Sequence, residues 1–340
     1  SRNIELSNDE LAKVHALPSD LSQADLGLSA HTLNHLLSSL TTVIHSAWAV
    51  NFNLGVRSFE QQHIRGTFNL INLCLRTHLS SPAKFFFCSS VSTASGTPKP
   101  ASIAETAVEN LNHAQGMGYG RSKLVTEHIT RNAMRKTGMH ARVLRIGQLS
   151  GDRTSAIWND TEAIALMVRS ALTVGALPAL NEQPSWLPVD ACAEAVAELA
   201  LSGAKGPEHP AATTDAADAD LVYHIVNPRM FNWAADFLPA LKRCAALPAF
   251  DVVSPQEWLR RLADSEQDAS KNPSIKLLDF WQAKYGKAVA ATDATTLPAG
   301  LTFETSRTLQ DCTALRDVEQ PVAHGLVERY VEQWMKKWVV

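Results

Sequence analysis

The feature that most constrains this chain is a regular alternation of short buried-strand patterns with longer helical ones. Four runs rich in β-branched and aromatic residues have the length of a strand, at residues 41–47, 84–91, 141–147 and 221–226. Apolar residues at helical spacing fill two of the intervals, at residues 58–78 and 120–137. Strands that are apolar throughout and alternate with helices predict an α/β fold with a doubly wound, Rossmann-like parallel sheet. Ligands of such sheets bind at the carboxyl ends of the strands.

The character of the sequence changes beyond Gly151, where Trp and Pro residues interrupt the helical patterns. We expect a Rossmann-like nucleotide-binding core over residues 1–155, with one further core strand within residues 221–230. Residues 156–220 are interpreted as substrate-cap elements mixed with a returning core helix, and their Ala/Asp-rich stretch 211–220 as an exposed loop. Residues 231–340 carry apolar positions at helical spacing. That pattern predicts a smaller, mostly helical C-terminal subdomain that binds substrate and carrier.

Composition argues against several classes of protein. The formal net charge is −3, and no run of Lys and Arg resembles the basic surface that nucleic acid requires. The five cysteines lie far apart without a C-x-x-C pair, which argues against a zinc cluster or a disulfide framework and favours a reducing, cytoplasmic setting. No apolar stretch reaches the roughly 18 residues needed to cross a bilayer. We therefore expect a cytoplasmic enzyme that binds no metal, nucleic acid or membrane.

The most informative local pattern places Tyr119 and Lys123 one helical turn apart, so that phenol and ammonium share a helix face. A nearby ammonium is expected to lower the pKa of a tyrosine and to prepare it to give a proton to a carbonyl oxygen. Chance also produces Y-x-x-x-K. The preceding strand pattern ends in Ser89-Ser90-Val91-Ser92, and we choose Ser90 as the third catalytic residue. Ser89 is a candidate cofactor contact, with loop hydrogen bonding as the alternative for Ser89 and Ser92.

Further cofactor candidates lie at the end of the first strong strand pattern. Ser46, Ala47 and Trp48 follow it in a turn of small residues where a dinucleotide could rest against backbone. His45 is interpreted as a buried, hydrogen-bonded histidine rather than a catalytic base. Asp20-Leu21 is placed to contact adenine, and a helix-capping Asp is the alternative. The glycine-rich turn that brings backbone amides to a pyrophosphate is not found near the start of the sequence.

These motifs resemble the C-terminal thioester reductase domains of fungal adenylate-forming reductases and related nonribosomal-peptide-synthetase-like enzymes, which belong to the extended short-chain dehydrogenases/reductases. The resemblance rests on eight segments along nearly the whole chain: ALPSDLSQADLGLS (16–29), VIHSAWAVNFN (43–53), FFFCSSVSTASG (85–96), GMGYGRSKLVTEHI (116–129), VLRIGQLSG (143–151), SWLPVDACAEAV (185–196), HIVNPR (224–229) and FETSRTLQDCTALRD (303–317).

The resemblance implies NADPH-dependent reduction of an acyl thioester on a phosphopantetheine arm, with release of an aldehyde and optional further reduction to an alcohol. It implies an acyl-carrier (thiolation) domain as partner, in cis in the parent protein, as in carboxylic acid reductases. Ser90, Tyr119 and Lys123 take the catalytic positions, and Lys123 also grips the nicotinamide ribose. Further positions are implied for the cofactor (Asp20, Ala47, Trp48, Ile146, Gly147, Gln148) and for the acyl group (Met117, Gln148, Trp158, Trp186).

Two departures from the family pattern stand out. Family members begin about 60 to 70 residues upstream, with a strand and the glycine-rich turn, so we expect an N-terminally truncated chain that binds the cofactor poorly. The position of a family Asn falls in His63-Ile64-Arg65-Gly66-Thr67, which weakens the case for a helix-borne proton relay.

Two other functions stay open on the sequence. One is a free-standing extended reductase or epimerase that acts on a small soluble substrate. The other is a non-catalytic remnant that docks a carrier domain. The helical C-terminal region favours carrier docking over a free substrate, and the complete Ser90, Tyr119 and Lys123 set argues against loss of catalysis.

Overall fold

A computed structural model describes residues 5–201, 221–286 and 300–338 of the chain. Its centre is a four-stranded, wholly parallel sheet with the order β1-β2-β4-β8. In the pairing of the first two strands, Val43 lies opposite Phe85. In the pairing of the last two, Val143 lies opposite Val222. Short two-stranded pairings add β3 with β10, β5 with β7 and β6 with β9. The strands are β1 (Thr42–His45), β2 (Lys84–Ser90), β3 (Ala101–Ile103), β4 (Ala141–Ile146), β5 (Leu149–Ser150), β6 (Ala176–Pro178), β7 (Leu187–Pro188), β8 (Val222–Ile225), β9 (Asp251–Val253) and β10 (Leu301–Phe303).

Helices connect and cover these strands. The α-helices are α1 (Asn8–Leu11), α2 (Ala30–Ser39), α3 (Gly66–Leu75), α4 (Gly118–Thr137), α5 (Ala163–Thr173), α6 (Val189–Leu201), α7 (Leu238–Arg243), α8 (Pro255–Ala263), α9 (Leu278–Tyr285), α10 (Ser306–Asp311), α11 (Thr313–Arg316) and α12 (Leu326–Trp338). Within the described ranges, none of them combines the length and apolar character needed to cross a membrane.

The two faces of the sheet carry different side chains because successive residues of a strand point to opposite sides. Phe85 and Phe87 of β2 pack with residues of α3 and α4, such as Ile71 and Met134. Phe86 points the other way, into a cluster with residues of α6 and α11. Helices therefore cover both faces, and the doubly wound sheet predicted from the sequence is confirmed.

A second core lies outside the sheet and is rich in aromatic residues. It joins α5, α7, α8, α9 and α12 through fully buried tryptophans, among them Trp233, Trp258, Trp281 and Trp334. Large aromatic side chains bury much apolar area each, so a few of them hold together short helices that could not be stable alone. The C-terminal part of the chain is thus mostly helical, as its periodicity predicted.

The strand predictions agree with the structure, and the helix predictions agree in part. All four predicted strands are present in one parallel sheet. The helix predicted over residues 58–78 is interrupted: a 3-10 turn at Val56–Phe59 and a π-helical segment at Glu60–Arg65 precede α3. Apolar spacing does not distinguish these helix types, since all three place residues on one face at similar intervals. The loop predicted at 211–220 lies outside the described residues.

Candidate active site

The site forms where β2 and helix α4 meet at the carboxyl edge of the sheet. Ser90 is the last residue of β2, and Ile146, the last residue of β4, is its Cα partner. Helix α4 begins with Gly118-Tyr119-Gly120. A Cβ at Gly118 would lie 2.2 Å from the carbonyl oxygen of Leu54, so only glycine allows the helix to start this close to the loop that follows β1. The sequence thereby brings Tyr119 to Ser90.

The Tyr119 phenol is half-buried and lies near the Ser90 side chain. Burial raises the pKa of Tyr119, and the interaction with the Ser90 hydroxyl opposes that shift. The expectation that Lys123 lowers the pKa of this tyrosine is therefore wrong, because burial dominates. A raised pKa keeps the phenol protonated at neutral pH, which is the state of a proton donor.

Lys123 is buried, with 3% of its surface exposed. Its Nζ donates a 2.6 Å hydrogen bond to the carbonyl oxygen of Cys88 and lies 4.2 Å from the centre of the Trp48 ring and 4.8 Å from that of Phe87. Burial lowers the pKa of Lys123 to about 7, while Cys88 and Glu127 act in the opposite direction. The ammonium lies 5.9 Å from the Tyr119 ring centre, so the two residues share one face of α4 as their spacing predicted.

Three buried polar atoms in this described part of the molecule lack hydrogen-bond partners. Within the described ranges, His45 Nε2, Trp48 Nε1 and Ser92 Oγ are buried and have no hydrogen-bond partner. His45 stacks on Phe87 at 5.9 Å, and burial together with Lys123 lowers its pKa to about 4. The sequence prediction of a buried histidine agrees with its 3% exposure, but its Nε2 forms no hydrogen bond, so the expected hydrogen-bonded state is wrong for that atom.

Asp20 and Leu21 form a compact loop that docks on helix α3. The Asp20 carboxylate accepts bonds from Ser22 and Gln23, which lower its pKa to about 2, and a 3.2 Å bond from Gln62. The amide of Asn69 donates to the carbonyl oxygen of Leu21 at 2.8 Å. Both residues therefore hold the loop together, and Asp20 is not a helix cap in this structure.

The other proposed cofactor and substrate positions lie at the same edge, with varied exposure. Ser46 and Ala47 are exposed in the turn after β1, and Met117 is half-buried directly before α4. Ile146 and Gly147 are half-buried at the end of β4, and a Cβ at Gly147 would lie 2.9 Å from a methyl group of Val226. The exposed Gln148 donates through Nε2 to the carbonyl oxygen of Leu149.

Trp158 and Trp186 lie in the second core. Each is 4% exposed, their ring centres are 5.2 Å apart, and Trp158 also contacts Tyr330 and Trp334. Side chains so enclosed by aromatic neighbours offer little surface to an acyl group. The structure places them in the packing of the C-terminal helices.

Four residues near the catalytic cluster were not singled out in the sequence: Phe52, Glu127, Arg145 and His224. Phe52 is 51% exposed and packs edge-on against Tyr119 with ring centres 5.4 Å apart. Glu127 and Arg145 form a buried ion pair that also takes in Ser89. The signal was available, because Glu127 follows Lys123 by one helical turn.

Ser90 at the end of β2 and Tyr119 and Lys123 on α4 thus come together at the carboxyl edge of a doubly wound sheet, a fold shared with solved reductase-domain structures. The chain belongs to the family described as Male sterility protein, whose model matches residues 2–196. That family binds NAD, which supports a nicotinamide cofactor. The resemblance to terminal reductase domains drawn from the sequence is confirmed.

Known proteins similar to the chain include the adenylate-forming reductase Nps11 of Serpula lacrymans var. lacrymans, 31% identical over 99% of this chain and 30% of the relative. The terminal R domain of the myxalamid PKS-NRPS biosynthetic pathway matches with a TM-score of 0.75 and 21% identity, over 98% of this chain and 78% of that one. A thiolation-reductase di-domain of an archaeal non-ribosomal peptide synthetase matches with a TM-score of 0.65 and 17% identity, over 94% and 61%.

These two structures show the fold. The chain spans only 12% to 30% of the length of the curated relatives that it matches.

Proposed function

We propose that this chain catalyses the NADPH-dependent reductive release of an acyl group from a phosphopantetheine thioester, giving an aldehyde. The observation that carries the proposal is the placement of Tyr119 and the buried Lys123 of α4 next to the end of β2, where Ser90 lies, at the carboxyl edge of the sheet. Two hydroxyl donors at one point are suited to a carbonyl oxygen that gains negative charge.

In the proposed reaction, Tyr119 and Ser90 both bind the thioester oxygen. The cofactor, when bound, supplies a hydride to the thioester carbon. As charge builds on the oxygen, Tyr119 donates its proton, which its raised pKa keeps in place at neutral pH. The C–S bond of the resulting thiohemiacetal then breaks, the pantetheine sulfur leaves as a thiol, and the aldehyde is released. A second reduction to the alcohol would use the same donors.

The donors present suit a nicotinamide ribose. An ammonium has three N–H groups, and Lys123 directs one to the carbonyl oxygen of Cys88. The unpartnered Trp48 Nε1 and Ser92 Oγ add polar atoms that a hydroxylated ligand could satisfy. Ser46, Ala47, Ile146, Gly147 and Gln148 would border the cofactor, and Asp20 with Leu21 would border its adenine through the backbone of their loop.

The substrate would arrive on a carrier domain. One solved relative is a thiolation-reductase di-domain, and the curated relatives are several times longer than this chain. Both facts support a phosphopantetheinylated thiolation domain as partner, in cis in the parent protein. Phe52 and Met117, next to Tyr119 in space or in sequence, would border the acyl group.

Turnover of pantetheine-linked benzoyl and octanoyl thioesters at millimolar NADPH tests the proposal, with aldehyde measured by mass spectrometry. Tyr119→Phe is expected to lower kcat by about 10²- to 10⁴-fold. Tyr223→Phe is the matched control, because it also removes one phenolic oxygen. The Tyr223 hydroxyl donates a 2.9 Å hydrogen bond to Asp311, away from the site, so this variant should retain kcat. Equal kcat for Tyr119→Phe and the unmodified chain would refute the assignment.

A free coenzyme A ester of the same acyl group serves as the competing substrate. Preference for it over the pantetheine-linked thioester would favour a free-standing reductase.

A further inference from the structure

One face of the sheet carries three polar residues directly beneath helix α4. The alternation that points Phe85 and Phe87 toward α4 also points Ser89 there, one residue before Ser90. On the neighbouring strands, Arg145 and His224 have the same parity as Val143 and Val222 of the α4-facing cluster. Three strands therefore each deliver one polar side chain to the underside of the helix that carries Tyr119 and Lys123.

Glu127 binds two of these three residues. Ser89 Oγ donates a 2.5 Å bond to Glu127 Oε1, and Arg145 binds both carboxylate oxygens, its NH2 nitrogen at 2.8 Å from Oε2. Arg145 also lies 3.4 Å from His224 Nε2. The side chains of Arg145 and Glu127 are 0% and 5% exposed. An ion pair this deeply buried is costly to desolvate, so a well-packed apolar pair could serve the fold alone as well.

We propose that Glu127 is a positioning residue, which holds Lys123 and Ser90 in register by bridging Ser89 of β2 and Arg145 of β4. The inference rests on the proposed function and adds a residue to its machinery. Glu127 follows Lys123 by four residues on the same helix face, and Ser89 and Arg145 directly precede Ser90 and Ile146 at the strand ends. A shift of α4 along the sheet would break these bonds and separate Tyr119 from Ser90.

Together with Cys88, Glu127 also opposes the effect of burial on the pKa of Lys123. The other titratable or charged groups facing this region are Cys88 of β2, His45 at the end of β1, His63 of the segment before α3, and Arg145 of β4 with His224 of β8 behind it. Cys88 and the two histidines are retained in every variant below, so a change in Lys123 titration reports on Glu127.

The first test replaces Glu127 with glutamine. We expect the titration midpoint of Lys123 to fall by about one pH unit, because an opposite charge one helical turn away is lost. If protonated Lys123 is needed for turnover, the midpoint of the alkaline limb of the kcat–pH profile moves to lower pH by the same amount. At pH values above this midpoint, the variant should then have about tenfold lower kcat than the unmodified chain. At pH values well below the midpoint, the two kcat values should be similar. A merely structural role would lower kcat equally at all pH values.

Glu105→Gln is the matched control, since Glu105 is also a buried carboxylate and binds His224 from the side of Thr308 and Arg307. The Glu105→Gln variant should be less stable but should keep the alkaline midpoint of the kcat–pH profile unchanged. If Glu127→Gln does not fold, the double variant Glu127→Gln with Arg145→Gln replaces it; a smaller fall of the Lys123 midpoint is expected, because the loss of the Arg145 charge partly offsets the loss of the nearer Glu127 charge. An unmoved limb in the folded variant overturns the proposal.

Direct titration of Lys123 separates this inference from the proposed function. NMR of lysine side chains labelled at the ε carbon, assigned with Lys123→Arg, follows the midpoint without substrate. A midpoint that falls in the glutamine variant supports the role of Glu127 even if the unmodified chain reduces no thioester, an outcome that would refute the proposed function alone. A midpoint that stays in place refutes the role of Glu127 whatever the substrate.

Discussion

Removal of Arg145 is expected to be among the most destabilising single changes in the sheet. Its guanidinium is fully buried, binds both oxygens of Glu127, and reaches His224 on the next strand. Arg145→Met would leave the Glu127 carboxylate buried with only the Ser89 bond described here. Breaking a buried pair on one side costs about 3–5 kcal/mol.

The double variant Glu127→Leu with Arg145→Met should be far more stable than the single one, because no unpaired charge stays buried. Replacing a whole buried ion pair with apolar residues is often neutral for stability. We therefore expect the free energy of unfolding of the double variant to lie within about 2 kcal/mol of that of the unmodified chain. Urea unfolding followed by far-UV circular dichroism measures both values.

Arg260→Met provides the control, because this arginine also pairs with a carboxylate, Glu257, but is 62% exposed. Its loss should cost less than about 1 kcal/mol. If Arg145→Met costs no more than Arg260→Met, or if the double variant is no more stable than Arg145→Met, Glu127 and Arg145 do not act as one buried ion pair.

Four further predictions concern the site and the cores. Lys123→Met should be more stable than the unmodified chain at pH 7 and below, and this difference should disappear toward pH 10. The reason is that burial lowers the pKa of Lys123 to about 7, so the folded chain buries a charge at low pH but a neutral amine at high pH. Urea midpoints across this pH range measure the difference. Stability should fall from pH 6.5 toward pH 3 by up to about 1.4 kcal/mol per unit through His224, whose burial lowers its pKa to about 3, and a His224→Gln variant with an equal slope would contradict this. Phe52→Ala should raise KM for aryl thioesters about tenfold through loss of an aromatic contact beside Tyr119, with short acyl chains as the comparison. Trp158→Ala should cost about 3–5 kcal/mol in urea unfolding, as for a large core side chain, and a normal stability with raised KM would instead return this residue to the substrate site.

Strand positions and the shared helix face of Tyr119 and Lys123 could be predicted because both depend on local spacing. Continuous apolar runs such as 84–91 have one stable solution in an α/β chain, a strand buried on both faces. Tyr119 and Lys123 share a helix face by their spacing alone, and Ser90 follows from the end of its strand.

The errors came from quantities that depend on three-dimensional burial. The pKa of Tyr119 is raised because the phenol is enclosed, which its distance in sequence from Lys123 does not reveal. The enclosure of Trp158 and Trp186 was not foreseen either, since helices more than 40 residues away in sequence pack over them; their role at the acyl group stays a prediction. The partners of Glu127 are missed for the same reason, since Ser89 and Arg145 reach it from two separate strands.

The measurement that tests the central claim most directly is the fate of deuterium carried at the reactive C4 position of NADPH during turnover of an acyl-pantetheine thioester. The account predicts one deuterium at the formyl carbon of the aldehyde and one free thiol for each cofactor oxidised, with both lost in Tyr119→Phe. Thiol release with unlabelled carboxylic acid as the product would show hydrolysis instead, and would contradict a reductase assignment for Ser90, Tyr119 and Lys123.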